Sequence, residues 1–270
     1  MSSSRPKRVA ALSAAAVLLV AACADTAAAI HAERRLADHL RREANLPADP
    51  YVSLGGLAYL SSLVTGQWSS VSVRARDLEV PGFGLVSVES GAVDVQIPPE
   101  SVWTGDFANS ETDKFFGKLQ LDGLALGRKM GFTDLVIQNL EDVSPVGGWE
   151  TEAIFEATPE GWTEPATVSV KLRIQRENVH ITPIEVIEAP PYPDAIRTVP
   201  GDELAPELRE DLLNKFTLFL DGATLPLEFP PTRVYVTGGT ILIEGEKVNT
   251  TVSPEDFLPD AQPQPDLDGE

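Results

Sequence analysis

The most informative pattern of apolar and polar positions lies in residues 51–80. Between Gly55–Gly56 and Gly66, large apolar side chains recur at helical spacing; they are Leu57, Tyr59, Leu60, Leu63 and Val64. Apolar and polar residues then alternate from residue 71 onward, which is typical of a half-buried strand. The pattern predicts a short helical turn that leads into a strand. Because so short a turn is unstable in isolation, it must pack against an apolar surface, and we interpret it as a plug at the end of a lipid-holding cleft.

Alternation with a period of two recurs along the chain and predicts antiparallel strands. The clearest case is residues 167–175, followed by a turn at 176–178 and a second strand over 179–187. Such alternation indicates a sheet with one wet face and one buried face. A short helix is predicted at 123–130. Further extended segments are predicted at 83–97 (with a bulge or turn at Ser90–Gly91), 115–121, 135–140, 149–157, 234–236, 241–243 and 248–252.

Residues 204–220 carry the pattern of an amphipathic helix, with Pro206 suited to its first turn. The apolar stripe consists of Leu204, Leu208, Leu212, Phe216 and Phe219, widened by Leu213 and Leu220. Burial of six or seven large side chains contributes on the order of 12 to 14 kcal/mol. We therefore expect this helix to lie on the dry face of the sheet, which makes the predicted fold class α+β.

The first 23 residues have the organisation of a targeting segment. Arg5, Lys7 and Arg8 precede an apolar run over residues 9–23, which is shorter than the roughly 20 residues that span a bilayer. We therefore expect the protein to be exported. Cys23 follows Val20-Ala21-Ala22, which resembles a bacterial lipobox, where the cysteine is acylated and becomes the mature N-terminus. The alternatives are an ordinary cleavage region and an uncleaved anchor.

The segment after the targeting signal predicts a further helix over residues 25–44. Its narrow apolar stripe contains Ile30, Ala37, Leu40 and Ala44, and Asn45 and Pro47 end it. We expect a membrane-proximal helix that packs on the body of the protein. The predicted organisation is therefore a signal at 1–23, one domain at 24–253, and a disordered acidic, proline-rich tail at 254–270.

Charge excludes two classes of partner. The chain of 270 residues has a net charge of −20, and three of its 21 basic residues lie in the first 23, which leaves 18 basic against 41 acidic residues. No basic footprint exists to meet nucleic-acid phosphates, and electrostatic adhesion to anionic membranes needs clustered Lys and Arg. A lipid would have to be held by apolar contact. Because Cys23 is the only cysteine, no disulfide stabilises the domain.

Catalytic and metal-binding motifs are absent from the sequence. It has no G-x-S-x-G elbow, no H-E-x-x-H and no phosphate-binding glycine loop. His31, His39 and His180 have no carboxylate or cysteine at metal-ligand spacing. Among 41 carboxylates an accidental pair such as Glu150/Glu152 carries little weight. We predict no enzyme activity, metal or cofactor, although dispersed catalytic residues would leave no motif.

Residues 51–80 resemble the signature of the LmeA-like phospholipid-binding family of actinobacterial envelope proteins. The family has a glycine, an apolar segment, a second glycine and an alternating strand, and here Gly56, Tyr59, Leu60, Leu63 and Gly66 occupy those places. The C-terminal part is also similar, through Leu225-Pro226-Leu227, Pro230, Val234–Val236, Gly238-Gly239 and Gly245. One departure is Ala58, where the family commonly has proline. The resemblance implies a long curved antiparallel sheet that wraps amphipathic helices, as in tubular lipid-binding (TULIP-type) domains.

These observations predict a lipid site in an apolar seam between the sheet and the helix. The candidate lining residues are Leu57, Tyr59, Leu60, Leu63, Val64, Leu212, Phe216, Phe219 and Leu220. The resulting hypothesis is an exported envelope protein that binds phospholipid and reaches the membrane through its N-terminal anchor or its lipid. The alternative is a structural or adaptor protein in which the same residues fill the core. Trp103, Trp149 and Trp162 either pack on the sheet end or mark a membrane-dipping rim.

Overall fold

Two antiparallel sheets carry most of the chain, and helices cover them. The computed structural model describes residues 4–43, 46, 48–56, 59–104, 107–140 and 148–258. The helices are α1 (Ser4–Glu43), α2 (Tyr59–Thr65), α3 (Pro99–Thr104), α4 (Gly123–Met130) and α5 (Pro206–Lys215). The first six strands are β1 (Tyr51–Gly55), β2 (Gln67–Val80), β3 (Gly84–Gln96), β4 (Ser110–Asp122), β5 (Val136–Asn139) and β6 (Glu150–Ala157). The others are β7 (Ala166–Gln175), β8 (Asn178–Ala189), β9 (Val199–Pro200), β10 (Leu218–Leu220), β11 (Pro231–Thr237) and β12 (Thr240–Val252).

The strand order confirms the predicted α+β class and divides the sheet into two. Sheet 1 has the order β1-β2-β3-β4-β12-β11, and sheet 2 has the order β10-β8-β7-β6-β5, with β9 paired to β8. The sheets join where β11 packs on β6 and β7 and where Val234 N donates to Gly148 O at 2.7 Å. Buried side chains from both sheets and from α1 form one apolar cluster.

Sheet 1 separates a charged face from a covered face. On the charged face, one row across five adjacent strands alternates in sign; it consists of Arg74, Glu89, Lys118, Glu244 and Arg233. Arg74 Nη2 lies 2.8 Å from Glu89 Oε2, and Lys118 Nζ lies 3.1 Å from Glu244 Oε1. The neighbouring row, which points to the covered face, is made of small residues; they are Val73, Ser90, Gly117 and Gly245.

The predicted helix over 25–44 is the C-terminal half of a longer helix. α1 has 40 residues, which corresponds to a length of about 60 Å. Ala32, Leu36 and Leu40 are buried in the core, whereas the side chains from Leu12 to Cys23 are exposed. By length and hydropathy α1 is able to cross a membrane, and a signal sequence near the N-terminus passes the same test.

Three sequence predictions need correction. The helix predicted over 204–220 ends at Lys215, and Leu218–Leu220 pair with β8 instead, because a run of adjacent apolar residues also suits a strand at a sheet edge. Strand β3 runs through Ser90–Gly91 without a turn. The tail predicted to be disordered from residue 254 begins with a folded turn, Pro254–Phe257, because Phe257 inserts between aromatic rings, 5.1 Å from Phe115.

Candidate functional site

Helix α2 has one buried face and one exposed face, and the exposed face carries two of its aliphatic side chains. Tyr59 and Leu63 are buried, as expected for a plug. Leu60 is 41% exposed and Val64 is 82% exposed, so half of the predicted apolar turn faces outward. Leu57 lies outside the described residues. The helical spacing of the sequence predicted α2 correctly, but it did not separate the two faces.

The ends of α2 are fixed by α1 and by a glycine. The carboxylate of Asp25 accepts hydrogen bonds from the backbone N–H groups of Tyr59 (3.2 Å) and Leu60 (2.7 Å), which are otherwise unpaired at a helix start. At the other end Gly66 has φ +75°, and a Cβ there would lie 2.8 Å from the Ile97 carbonyl oxygen. A residue with a side chain would therefore be strained at this position.

We expect Asp25→Ala to loosen α2 while the rest of the domain stays folded. Loss of two charge-assisted hydrogen bonds removes about 1 to 3 kcal/mol of local stability. Hydrogen exchange would show faster exchange at the amides of Tyr59 and Leu60. Asp38→Ala is the control, because Asp38 is an exposed carboxylate on the same helix. Equal exchange in both variants would show that Asp25 does not hold α2.

Two hydrogen-bond donors are buried where α2 packs on β2. The rings of Tyr59 and Trp68 have centroids 4.8 Å apart. Across the described part of the chain, neither the Tyr59 hydroxyl nor the Trp68 indole N–H finds a hydrogen-bond partner. Burial, with the nearby carboxylates of Glu33 and Asp25, raises the pKa of Tyr59, so its hydroxyl keeps its proton. Both groups could donate to an acceptor oxygen of a ligand, since an unpaired buried donor is costly.

A wide polar groove of about 1190 Å³ adjoins α2 at this end of sheet 1. Asp94, Glu111 and Asp113 line it together with a single cation, Lys247. Its other lining residues are Gly56, Ser61, Ser62, Gln67, Trp68, Ser69, Val95, Gln96, Thr112, Asn249, Thr250 and Thr251. The excess of carboxylates disfavours an anionic group such as phosphate and favours hydroxyl or ammonium groups.

The second half of the predicted site belongs to sheet 2. Helix α5 packs on β8, and its Leu212 and the capping residue Phe216 are fully buried. The Phe216 ring lies 4.8 Å from that of Phe132. Leu220 is buried in β10, whereas Phe219 is 53% exposed beside His180. Helix α2 packs instead on α1, α3 and β2, so each half contacts its own sheet and a continuous seam through both stays a prediction.

A cavity of about 400 Å³ with a mixed polar and aliphatic lining lies between sheet 1 and the segment 223–228, within the usual size range of small-ligand sites. Its aliphatic lining consists of Leu78, Val80, Pro81, Leu225, Pro226 and Leu227. Ser90 and Gly117 form part of its floor, and a Cβ on Gly117 would already lie 3.4 Å from Leu227 Cδ2. The small residues thus let the segment 223–228 pack closely on the sheet. No sequence pattern indicated this cavity, although Ser90 and the Leu225-Pro226-Leu227 motif both line it.

The other candidate residues from the sequence are Cys23 and three tryptophans. Cys23 is exposed on α1, two residues before Asp25. The indole of Trp149 is exposed, with the Arg173 guanidinium 4.5 Å from its ring centroid, and Trp162 is half-buried against the core. The side chain of Trp103 lies outside the described part of the structure. No group of three or more metal-ligating side chains comes together in the described ranges.

Comparison with known proteins gives one match. A model of the LmeA-like phospholipid-binding family matches residues 23–246 of the chain. No curated protein and no solved structure shows significant similarity to it.

Proposed function

The chain belongs to the LmeA-like phospholipid-binding family, and on this premise we propose that it is an exported cell-envelope protein that holds phospholipid acyl chains by apolar contact. The apolar, N-terminal half of α1 supports export, since it fits a signal or an anchor. Its basic start and the lipobox-like Cys23 support a position on the periplasmic side of the plasma membrane.

The acyl chain, in this proposal, occupies the cavity beneath segment 223–228. The observation that carries the proposal is the combination of aliphatic walls with a floor of Ser90 and Gly117. Each methylene that leaves water contributes about 0.8 kcal/mol, so roughly ten methylenes contribute about 8 kcal/mol before ordering costs. No charged contact is needed for affinity of this size. Of the lining carboxylates, Glu79 and Glu228 are exposed to solvent, and Asp256 is half-buried and accepts a hydrogen bond from the Ser253 backbone N–H.

Of the predicted contacts on α2, the buried Tyr59 and Leu63 remain part of the proposed site. Tyr59 and Leu63 lie on the buried face of α2, and the unpaired donors of Tyr59 and Trp68 suit an ester carbonyl oxygen of the lipid. The predicted contacts on α5 differ because they are closed off from any ligand. Leu212 and Phe216 would contact an acyl chain only if α5 separated from Phe132, because both are fully buried as they stand.

We propose no reaction on the bound lipid. The carboxylates of Glu150 and Glu152 both lie 3.4 Å from Lys171 Nζ. They are partly exposed and share a cation on the wet face of sheet 2, which supports a structural ion-pair cluster rather than a catalytic pair.

Native mass spectrometry of the full chain tests the function. Protein purified from membranes in mild detergent is expected to retain about one phospholipid per chain, and lipid-stripped protein is expected to regain it from phosphatidylcholine vesicles. Protein that emerges lipid-free and takes up no lipid from vesicles would overturn the proposal and favour the structural or adaptor role.

A further inference from the structure

Helix α1 leaves the folded body next to α2. From Ala32 onward α1 is buried against the core, and up to Cys23 its side chains are exposed. Asp25 lies at this transition and accepts both hydrogen bonds from the start of α2. The position of α2 relative to the exit of α1 is therefore set by direct contacts.

The outward face of α2 is uncharged and presents two aliphatic side chains, Leu60 and Val64, beside the hydroxyl residues Ser61 and Thr65. Its sequence, YLSSLVT, has no ionisable group other than the buried Tyr59, although the chain as a whole has a net charge of −20. Leu60 and Val64 are one helical turn apart and both point outward. Because exposed aliphatic side chains are common on protein surfaces, the position of these two beside the anchor segment is what favours an interfacial contact.

Each form of anchored N-terminus brings a membrane to this face. If α1 stays uncleaved, its apolar half enters the bilayer and emerges near Asp25. If Cys23 becomes an acylated N-terminus, the acyl chains begin two residues before Asp25, which is about 3 Å along the helix axis. Both routes place lipid at the level of Leu60 and Val64.

We propose that α2 docks on the phospholipid bilayer that holds the N-terminus, with Leu60 and Val64 inserted at the boundary between head groups and acyl chains. The proposal rests on the proposed export of the chain to a membrane surface. The contact is apolar rather than electrostatic, because α2 has no cation and the neighbouring Asp25 and Glu33 are acidic. Docking is therefore expected to occur on neutral phosphatidylcholine and to require no anionic lipid.

A depth measurement on the full chain tests the docking. Cys23→Ser removes the native thiol and leaves uncleaved α1 as the anchor, and Ser61→Cys then carries an NBD fluorophore on α2. In phosphatidylcholine vesicles that contain doxyl-labelled lipid, we expect at least about threefold stronger quenching at residue 61 than for the same label at Ile196→Cys. Ile196 is 83% exposed in the loop between β8 and β9 and serves as the matched control.

A second variant separates docking from mere proximity to the anchor. Leu60→Ser with Val64→Ser is expected to reduce quenching at residue 61 to the level at 196, while thermal unfolding is unchanged because both side chains are exposed. Equal quenching at 61 and 196, or quenching at 61 that survives the double substitution, would overturn the docking. Bound phospholipid, measured on the same samples, reports on the proposed function separately, so one proposal can fail while the other stands.

Discussion

Ser90→Leu is expected to lower the phospholipid affinity of the full chain by about tenfold or more. Ser90 is buried in the floor of the cavity beneath segment 223–228, so a leucine side chain would occupy space that the acyl chain needs. Exclusion of two methylenes costs roughly 1.6 kcal/mol, which corresponds to about tenfold in affinity. Native mass spectrometry across a lipid titration would measure the loss.

The control for this experiment is Ser87→Leu on the same strand. Residues 87 and 90 lie on opposite faces of β3, and Ser87 pairs with Gln120 on the charged side. This variant should bind lipid as the parent does. If Ser90→Leu binds lipid normally and its melting temperature is unchanged, the cavity is not the acyl-chain site.

Phe216→Ala is expected to lower the free energy of unfolding by about 3 to 5 kcal/mol. The side chain is fully buried and packs on Phe132, and removal of a buried phenylalanine leaves a cavity of that cost. Phe219→Ala, three residues further on and 53% exposed, should cost less than about 1 kcal/mol. Chemical denaturation followed by tryptophan fluorescence would compare the two.

The same pair of variants tests the predicted α5 contacts. If Phe216 lined an acyl-chain seam, the folded fraction of Phe216→Ala would bind lipid more weakly than the parent chain does. If it belongs to the closed core, stability falls and the folded fraction binds lipid normally. A comparable loss of stability in both variants would contradict the placement of Phe219 on the surface.

Local patterns predicted the elements whose partners are near in sequence. The alternation in residues 167–175 and the turn at 176–178 predicted the β7–β8 hairpin, and the spacing in 123–130 predicted α4. The prediction failed at Ser90–Gly91, where small residues were interpreted as a break. Packing explains their small size instead. A Cβ on Gly91 would lie 2.5 Å from the Phe116 ring, and Ser90 forms part of the cavity floor.

The candidate site was less predictable than the elements because it depends on distant partners. Tyr59, Leu60, Leu63 and Val64 were identified from spacing alone, but the packing of α2 on α1, α3 and β2 decides which of them face outward. The cavity requires segment 223–228 to lie over strands β3 and β4, which are more than 100 residues earlier. No local periodicity encodes such a contact.

The alternating charges of sheet 1 have a consequence for the apolar side of the same strands. If β3 slid by two residues along β4, Glu89 would face Phe116 or Gln120 instead of Lys118, and Ser90 would face Phe115 or Leu119 instead of Gly117. A slip of one residue would turn the ionic side chains inward. One alignment therefore satisfies the ion pairs and also keeps the two small residues side by side. The ion pairs on the solvent side thus fix the strand register that places Ser90 and Gly117 in the cavity floor. None of the charged side chains in the row lines that cavity.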